Sequence, residues 1–372
     1  MRKRIAIFTM HEVSNTYYCL HYLKQALSND FEVHMYGFSK TEEIDEKYME
    51  NYHSLTEAWY GQIRRVRVYL SKIKMLFLAN KYDAFIINDL DFFRIGYWIK
   101  KRYPQKKIIH YNTEIHDVDI KYPWHTTSFY KKHASYPDLI IECLDKRAEY
   151  RKKTFKINKD IYVINNTVPE AYIEKILALD IDVSKYFTFD NPSLPVLIYA
   201  GGCNLSRGLG DIINVVPRYE GKLNFLFFCH GSVEDYTKVE SMCKLHKNVK
   251  IYQAVRKEIL FNVMNKCNIG IQYYDPTVSV NHLYASPSKF FEYMALGLNI
   301  VSSRNKGIDA IIEENKCGVC FETTETLGDG IDKLMKQGLN LKENIQALFR
   351  EYYCYEKNSN KTISQLIKLI GE

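Results

Sequence analysis

Several classes of segment are missing from this sequence of 372 residues. It has no apolar run near the roughly 18 residues that a membrane span needs. Its 17 Gly and 9 Pro are spread without a period, which excludes collagen-like and low-complexity chains. No HExxH, GxSxG or Walker motif is present either. With 46% apolar and 26% charged residues, we expect a soluble globular protein of two ordinary domains.

The chain also lacks a complete signal peptide and a disulfide framework. It begins with Met-Arg-Lys-Arg, but the apolar stretch that follows covers only residues 5–10 and no small-residue cleavage site comes after it. We therefore predict a first β-strand there. The nine Cys are scattered and odd in number, which is typical of a reduced cytosolic protein. Cys317 and Cys320 form a CxxC without a second pair, and we interpret them as structural rather than zinc-binding.

Short β-branched and aromatic runs alternate with longer helical patterns along the whole chain. This alternation predicts a doubly wound α/β architecture with parallel sheets. The predicted strands are residues 4–9, 32–38, 84–90, 107–113, 139–143 and 161–166, then 195–200, 223–229, 249–252, 269–274, 299–303 and 317–322. We expect a first domain of residues 1–168, joined by a C-terminal helix 356–372, a turn-rich linker 169–194 and a second domain 195–355.

Positive charge is concentrated in one segment. The whole chain has a net charge of +7, whereas residues 61–107 alone contain twelve Lys or Arg against three acids. A helix predicted over about residues 55–80 carries apolar residues on one face and this basic cluster on the other. Three interpretations stay open: a solvated helix face, attraction to an anionic membrane that carries a lipid-linked acceptor, or binding of nucleic acid.

Ligands of open parallel sheets lie beyond the carboxyl ends of the strands, where helix N-termini bind phosphate. One such junction is the loop Gly-Gly-Cys-Asn-Leu-Ser-Arg-Gly at residues 201–208. Its glycines let the backbone approach an anion, and Arg207 adds a planar cation near the next helix. A tight turn without a ligand would explain the loop equally well.

A second junction carries more chemistry. Ser286 is expected to cap a helix whose first residue is Pro287, with Lys289 and Glu292 three residues apart on one helix face. A lysine at a helix N-terminus suits a diphosphate, and a carboxylate one turn later can accept hydrogen bonds from a ribose diol. The alternative is a surface ion pair of little energetic value.

These segments together resemble a known family. The run SPSKFFEYMALGLNIVSS at residues 286–303, with GGCNLSRGLGDII at 201–213 and INNTVP at 164–169, resembles the GT-B glycosyltransferases, specifically the retaining family 4 group. The resemblance implies two Rossmann-like domains facing across a cleft, with the nucleotide-sugar donor on the C-terminal domain and the acceptor on the N-terminal one. It implies transfer to a hydroxyl of a glycan or lipid-linked acceptor, with retention and without a metal or other required cofactor.

The resemblance also assigns site residues. The positions that match the family's donor-binding residues are Gly201, Gly202, Gly231, Val255, Ser286, Pro287, Ser288 and Glu292. Those that match residues facing the reacting sugar or the leaving phosphate are Arg207, Lys289 and His116. Glu292 looks like the carboxylate that binds the donor ribose. Under the same resemblance the leaving phosphate takes the acceptor proton, so no protein base is required.

Two positions depart from the family pattern. Gly202 stands where the family often has an arginine, and Tyr284 stands where it often has a glutamate, so Asn281 or His282 is a candidate for contacting the donor sugar. Two alternatives stay open. One is a nucleotide-sugar epimerase, which can share the same two-domain form and needs no acceptor. The other, suggested by these departures, is a degenerate GT-B subunit that binds a glycan or partner without catalysis.

Two DxD triplets, Asp89–Asp91 and Asp117–Asp119, follow predicted strands of the first domain. Turn formation and helix capping explain the first triplet, and we prefer this interpretation to metal binding. Whether residues 114–117 act near the acceptor stays open. We expect a cytoplasmic protein in polysaccharide or glycoconjugate biosynthesis, without a nucleic-acid partner, with peripheral contact at the cytoplasmic membrane face as the open alternative.

Overall fold

The computed structural model describes residues 2–10, 18–39, 49–55, 64–115, 124–203, 205 and 208–372. The chain divides into two compact units. The first unit is Met1–Asn166 together with Asn358–Glu372, and the second unit is Thr167–Lys357. Across the described residues, no helix combines the length and the apolar character that crossing a membrane requires.

The first unit is built on a seven-stranded parallel sheet. Its strands are β1 (Arg4–Phe8), β2 (Glu32–Gly37), β3 (Tyr52–Ser54), β4 (Ala84–Asn88), β5 (Lys107–Tyr111), β6 (Leu139–Glu142) and β7 (Ile161–Val163). In space they run β3-β2-β1-β4-β5-β6-β7, and every neighbouring pair is parallel. The six strands predicted in the first half are confirmed. The sequence missed β3, because three edge residues with a single apolar side chain show no alternation.

Helices cover both faces of this sheet. They are Tyr18–Leu27, Arg64–Phe77, Phe93–Arg102, Trp124–His133, Asp145–Thr154 and the C-terminal Tyr355–Gly371. Of the helix predicted over about 55–80, residues 56–63 lie outside the described part. The C-terminal helix is held in the first unit from residue 358 onward, where the Lys3 ammonium donates to the Ile370 carbonyl at 2.8 Å and the Thr362 hydroxyl donates to the Val163 carbonyl at 2.7 Å.

The second unit repeats the same plan with six strands. They are β8 (Val196–Gly202), β9 (Asn224–His230), β10 (Val249–Gln253), β11 (Ile269–Gln272), β12 (Asn299–Ser303) and β13 (Gly318–Phe321). Their order is β10-β9-β8-β11-β12-β13, again all parallel. The helices are Glu170–Leu177, Leu209–Val215, Val233–Cys243, Lys257–Asn265, Val280–Leu283, Ser288–Leu296, Asp309–Glu314, Leu327–Gln337 and Lys342–Leu348. All six predicted strands of this half are confirmed, and so is the doubly wound α/β fold class.

In both sheets the strand order reverses beside the first strand of the unit. The reversal lies between β1 and β4 in the first unit and between β8 and β11 in the second. Connections leave the two strands of each pair in opposite directions, which opens a crevice at their carboxyl ends. The fold therefore places a ligand crevice beside the end of β8, where the glycine-rich loop begins.

Residues 169–194 lie within the second unit rather than between the units. The helix Glu170–Leu177 buries Ile173 and Ile176, and the Asn262 side-chain amide donates to the Ile176 carbonyl at 3.2 Å. Farther along, the ring of Tyr186 packs edge-on against Tyr252. Turn residues at both ends suggested a linker from sequence, but the short amphipathic helix between them has an apolar face to bury.

One glycine sets how closely a functional helix approaches the second sheet. The helix Ser288–Leu296 lays Tyr293, which is fully buried, over Gly270 of β11. A Cβ atom at position 270 would lie 2.5 Å from the Tyr293 ring, so only glycine fits. The helix then ends at Gly297, whose φ of 73° is the left-handed cap conformation. Because this helix packs closely on β11, the positions of the side chains in the first turn of the helix are fixed.

Candidate functional site at the carboxyl edge of the second sheet

Gly208 lies beside the crevice at the end of β8, at a position where only glycine fits. Gly208 has a φ of +88°, and a Cβ atom there would fall 1.5 Å from the Tyr273 ring, just beyond β11. Gly208, the last residue of the glycine-rich loop, therefore lies against the residue that follows β11 and directly precedes the helix Leu209–Val215. This places the loop after β8 at the same edge of the sheet as the start of the helix Ser288–Leu296.

Three charged side chains meet at this edge. The carboxylate of Glu292 has no solvent exposure, and its Oε2 accepts a hydrogen bond from the Lys289 ammonium at 2.7 Å. Its Oε1 accepts one from the Lys257 ammonium, also at 2.7 Å. The side chains of Lys289 and Lys257 are 22% and 25% exposed. The pair of Lys289 and Glu292 anticipated from sequence forms, but it is a buried cluster with a third member and not a surface ion pair.

The cluster keeps Glu292 ionised. Burial by itself raises the pKa of a carboxyl group, but here the two ammonium groups outweigh burial and lower the pKa of Glu292 to about 2. Burial lowers the pKa of Lys257 to about 8, against the opposing pull of Glu292. Two ammonium groups around one carboxylate leave an excess of positive charge. An ammonium has three N–H donors, so Lys289 can hold Glu292 with one and offer the others to a ligand anion.

Lys257 is the site residue that sequence reasoning missed. It is the first residue of the helix Lys257–Asn265, which follows β10, and it lies 35 positions before Glu292. Its only sequence signal is its place directly after the loop that contains Val255, which the family resemblance assigns to donor binding. A lysine in the first turn of a helix is too common to predict a buried carboxylate partner from another helix.

The helix carrying Lys289 and Glu292 starts one residue later than predicted. Pro287 is the N-cap residue, with an extended backbone at φ −74° and ψ 133°, and its side chain makes no capping hydrogen bond. Ser286, expected to be the cap, is buried before it. Gly307 packs closely against the residue before Ser286. A Cβ atom on Gly307 would lie 2.1 Å from the Ala285 carbonyl oxygen, so this close contact requires glycine. Ser288 is therefore the first helical residue, and Lys289 lies in the first turn.

The glycines assigned to the donor site have packing reasons of their own. A Cβ atom on Gly201 would lie 2.6 Å from the Tyr199 hydroxyl, which donates to the Gly202 carbonyl at 3.0 Å. A Cβ atom on Gly231 would lie 3.2 Å from the Cβ of Cys203. Gly201 and Gly202 pair with the end of β9, so these residues form the floor of the crevice. Val255 is half-buried in the loop after β10.

Asn281 and His282, the candidates for contacting the donor sugar, lie in one short helix, Val280–Leu283. The Ser279 hydroxyl caps this helix. Nδ1 of His282 lies 3.2 Å from the Asp275 carbonyl oxygen, and the His282 ring packs edge-on against Tyr274. The Lys306 ammonium lies 5.9 Å from the centre of the Tyr284 ring. The position that often carries a glutamate in the family is thus occupied by an aromatic side chain beside a cation.

Two predicted site residues, Arg207 and His116, lie outside the described residues, as do Asp117 and Asp119. In the first unit Asp89 is buried at a φ of 52°, and its carboxylate accepts hydrogen bonds from the Thr113 amide and hydroxyl and from the Glu114 amide. This matches the interpretation of Asp89 as a turn-forming residue. In the described parts of both units, no group of three or more His, Cys, Asp or Glu is placed to hold a metal ion.

Comparisons with known proteins agree with this architecture. The family model described as glycosyl transferases group 1 matches residues 194–337, which include the glycine-rich loop and the whole charged cluster. No curated protein matches the chain. Among solved structures, a glycosyltransferase from Rickettsia africae is similar at a TM-score of 0.72 and 14% identity, covering 99% of this chain and 98% of that one.

Two further similar structures contain a bound nucleotide sugar. Anabaena HepE in complex with UDP-glucose is similar at a TM-score of 0.67 and 14% identity, over 98% of both chains. The UDP-GlcNAc 2-epimerase from Neisseria meningitidis, bound to UDP-GlcNAc, is similar at a TM-score of 0.63 and 12% identity, over 100% of this chain and 99% of that one. At such identities the likeness shows the fold. The chain therefore has the GT-B fold, and its residues 194–337 match the model of the glycosyl transferases group 1 family.

Proposed function

We propose that this protein transfers a sugar from a nucleotide diphosphate sugar, bound by the second unit, to a hydroxyl of a glycan or lipid-linked acceptor. The observation that carries the proposal is the cluster of Lys257, Lys289 and Glu292 at the carboxyl edge of the second sheet, inside the segment that matches the glycosyltransferase family. A cationic cluster beside a helix N-terminus suits the diphosphate that every such donor carries.

In the proposed reaction, negative charge develops on the substrate close to these residues. As the bond between sugar and phosphate breaks, negative charge grows on the leaving diphosphate, and Lys289 with the backbone N–H groups of its helix start would stabilise that charge. We propose the same role for Arg207. The leaving phosphate would take the proton from the acceptor hydroxyl on the same face of the sugar, so the anomeric configuration would be retained. On this proposal neither a metal nor a protein base is needed.

Thermal unfolding against a panel of nucleoside diphosphates and nucleotide sugars tests the donor site. A ligand that binds only the folded state raises its stability by mass action, by about 2.7 kcal/mol at a hundred times its dissociation constant. We expect one nucleotide to raise the melting temperature, equally with and without EDTA. Lys289→Met should lose most of this shift, whereas Lys336→Met, at an exposed position of the same unit, should keep it.

Turnover of the donor so identified distinguishes the remaining functions. Lys289→Met should lower kcat/KM by about 10² to 10³, the usual effect of removing one preorganised donor to a developing anion. Conversion of the nucleotide sugar into an isomer without any acceptor would instead show an epimerase. A protein whose melting temperature responds to no nucleotide would be a binding subunit, and the proposal would be wrong.

Binding of the nucleotide should weaken as pH rises through about 8. The pKa of Lys257 is lowered to about 8, so its side chain is cationic below that pH and neutral above it. The terminal phosphate, with a second pKa near 6, does not change its charge in this range. Calorimetric titration from about pH 7 to 9 should show this loss in the natural protein and a nearly flat profile in Lys257→Met. An unchanged affinity in the natural protein would exclude Lys257 from the diphosphate site.

A further inference from the structure

Three neighbouring helices of the first unit contain no acidic residue. The helices Arg64–Phe77, Phe93–Arg102 and Trp124–His133 include eleven Lys or Arg and not one Asp or Glu. The second helix packs against both others, and all three bury side chains against the same face of the first sheet. Their outer sides therefore form one continuous surface, which we call the three-helix face.

The middle helix shows how this face is organised. Phe93, Gly96 and Ile99 are buried toward the sheet. On the opposite side Arg94, Trp98 and Lys101 are exposed, spaced by four and then three residues, so they form one stripe along the helix. Trp98 is 54% exposed. Its ring packs edge-on against Tyr97 of the same helix and does not belong to the core cluster that the three helices share with the sheet.

The flanking helices continue the same combination. On the first helix, Tyr69 and Phe77 are 66% and 79% exposed and Leu76 is 43% exposed, while on the third helix Lys131 and Lys132 are exposed. Among the residues whose side-chain exposure the structure describes, four aromatic side chains are exposed, and three of them lie on this face. Exposed apolar groups clustered in this way mark an interaction surface.

Acidic side chains near the three-helix face engage particular cations and do not neutralise it. Asp138, beyond the third helix, forms an ion pair with Lys100 at 2.8 Å, and the side chain of Lys100 is only partly exposed. Asp91 lines a small cavity of about 100 Å³ together with Lys72 and Arg94. Arg94 is exposed even though it lines this cavity, and Trp98, Lys101, Lys131 and Lys132 are exposed as well.

We propose that the three-helix face docks on an anionic lipid surface. Lysine and arginine without intervening acids are drawn to anionic headgroups, and Trp, Tyr and Phe beside them suit the boundary between headgroups and acyl chains. Nucleic acid would bind the same cations and could stack on the aromatic rings, but it provides no apolar environment that would bury Leu76. The inference does not rest on the proposed function, because no residue of the donor site belongs to this face.

Sedimentation of the full-length protein with lipid vesicles tests the proposal. The natural protein should pellet with phosphatidylcholine vesicles that contain phosphatidylglycerol, less so at high salt, and not with pure phosphatidylcholine. The triple variant Arg94→Glu, Lys101→Glu and Lys131→Glu should lose at least about tenfold in affinity. The matched control reverses three exposed lysines of the second unit, Lys222→Glu, Lys316→Glu and Lys336→Glu, and should bind as the natural protein does.

Insertion of the apolar side chains has its own readout. Vesicles should shift the tryptophan emission of the natural protein to shorter wavelength, and Trp98→Phe should lose this shift. Replacing Phe77 and Trp98 by Ser should weaken binding, while replacing Val233 and Leu245, which are 82% and 78% exposed in the second unit, should not.

Two outcomes would overturn the inference. One is equal binding to neutral and anionic vesicles, or binding that survives the triple reversal. The other is a protein that ignores vesicles but binds a nucleic-acid duplex through the same three cations. Nucleotide-dependent melting, measured on every variant, reports separately on the donor site, so failure of one proposal leaves the other testable.

Discussion

Glu292→Ala is expected to lower affinity for the nucleoside diphosphate by at least about tenfold, which is 1.4 kcal/mol, and also to destabilise the second unit. Removing one partner from a buried charge cluster typically costs about 3–5 kcal/mol, since the remaining charges stay desolvated without compensation. Here two ammonium groups would remain, both held at 2.7 Å from the lost carboxylate. The measurements are urea unfolding and calorimetric titration with the nucleotide.

The conservative variant Glu292→Gln shows which role the carboxylate has. If Glu292 accepts hydrogen bonds from the ribose, a 2′-deoxy or 3′-deoxy nucleotide should bind the natural protein weakly, and the glutamine variant should discriminate less. If it acts by orienting Lys257 and Lys289 toward the diphosphate, both ribose analogues should bind like the parent nucleotide, and the variant should weaken all three equally. Unchanged affinity for every nucleotide would exclude Glu292 from the donor site.

The dependence of the free energy of unfolding on pH, at acidic pH, is a second test of this cluster. The pKa of Glu292 in the folded protein, about 2, lies below the ordinary value of 4.5. Its contribution to stability is therefore present above about pH 4.5 and is lost as pH falls toward 2. The second unit of Glu292→Ala should lack this part of the acid sensitivity. A profile identical to that of the natural protein would mean that the buried pairing is absent in solution.

Glu142→Ala should strongly destabilise the first unit. Glu142, the last residue of β6, has no exposure, and both of its partners, Arg147 and Arg151, are almost completely buried. Nε of Arg147 donates to Oε2 of Glu142 at 3.3 Å, and Nε of Arg151 donates to Oε1. Without the carboxylate, two guanidinium groups would remain in the core, at an expected cost of about 3–5 kcal/mol.

A matched control lies on the helix that follows. Glu149 makes an exposed pair with Lys146, whose side chains are 64% and 51% exposed, so Glu149→Ala should cost less than about 1 kcal/mol. Because the chain has two units, unfolding should be followed by circular dichroism together with the nucleotide-dependent shift of the second unit. Equal effects of the two substitutions would contradict the assignment of Glu142 as the central anion of the first unit.

Local sequence patterns were informative wherever the physical cause is local. Apolar runs with β-branched residues marked the strands, because a parallel strand covered by helices on both faces must be apolar on both. The pairing of Lys289 with Glu292 was also foreseeable, since residues three apart on a helix are neighbours. The start of that helix was misplaced by one residue because Pro287 suits either the first helical position or, as observed, an extended N-cap.

The sequence by itself determined the α/β alternation, the glycine-rich loop and the short motif around Glu292, because each depends on residues close together in the chain. Only the tertiary structure decided that Lys257 shares the buried carboxylate, and that residues 169–194 pack into the second unit. It also decided that three helices without acidic residues lie side by side. Such contacts follow from which strands become neighbours, and that choice is made by burial over the whole sheet rather than by any local pattern.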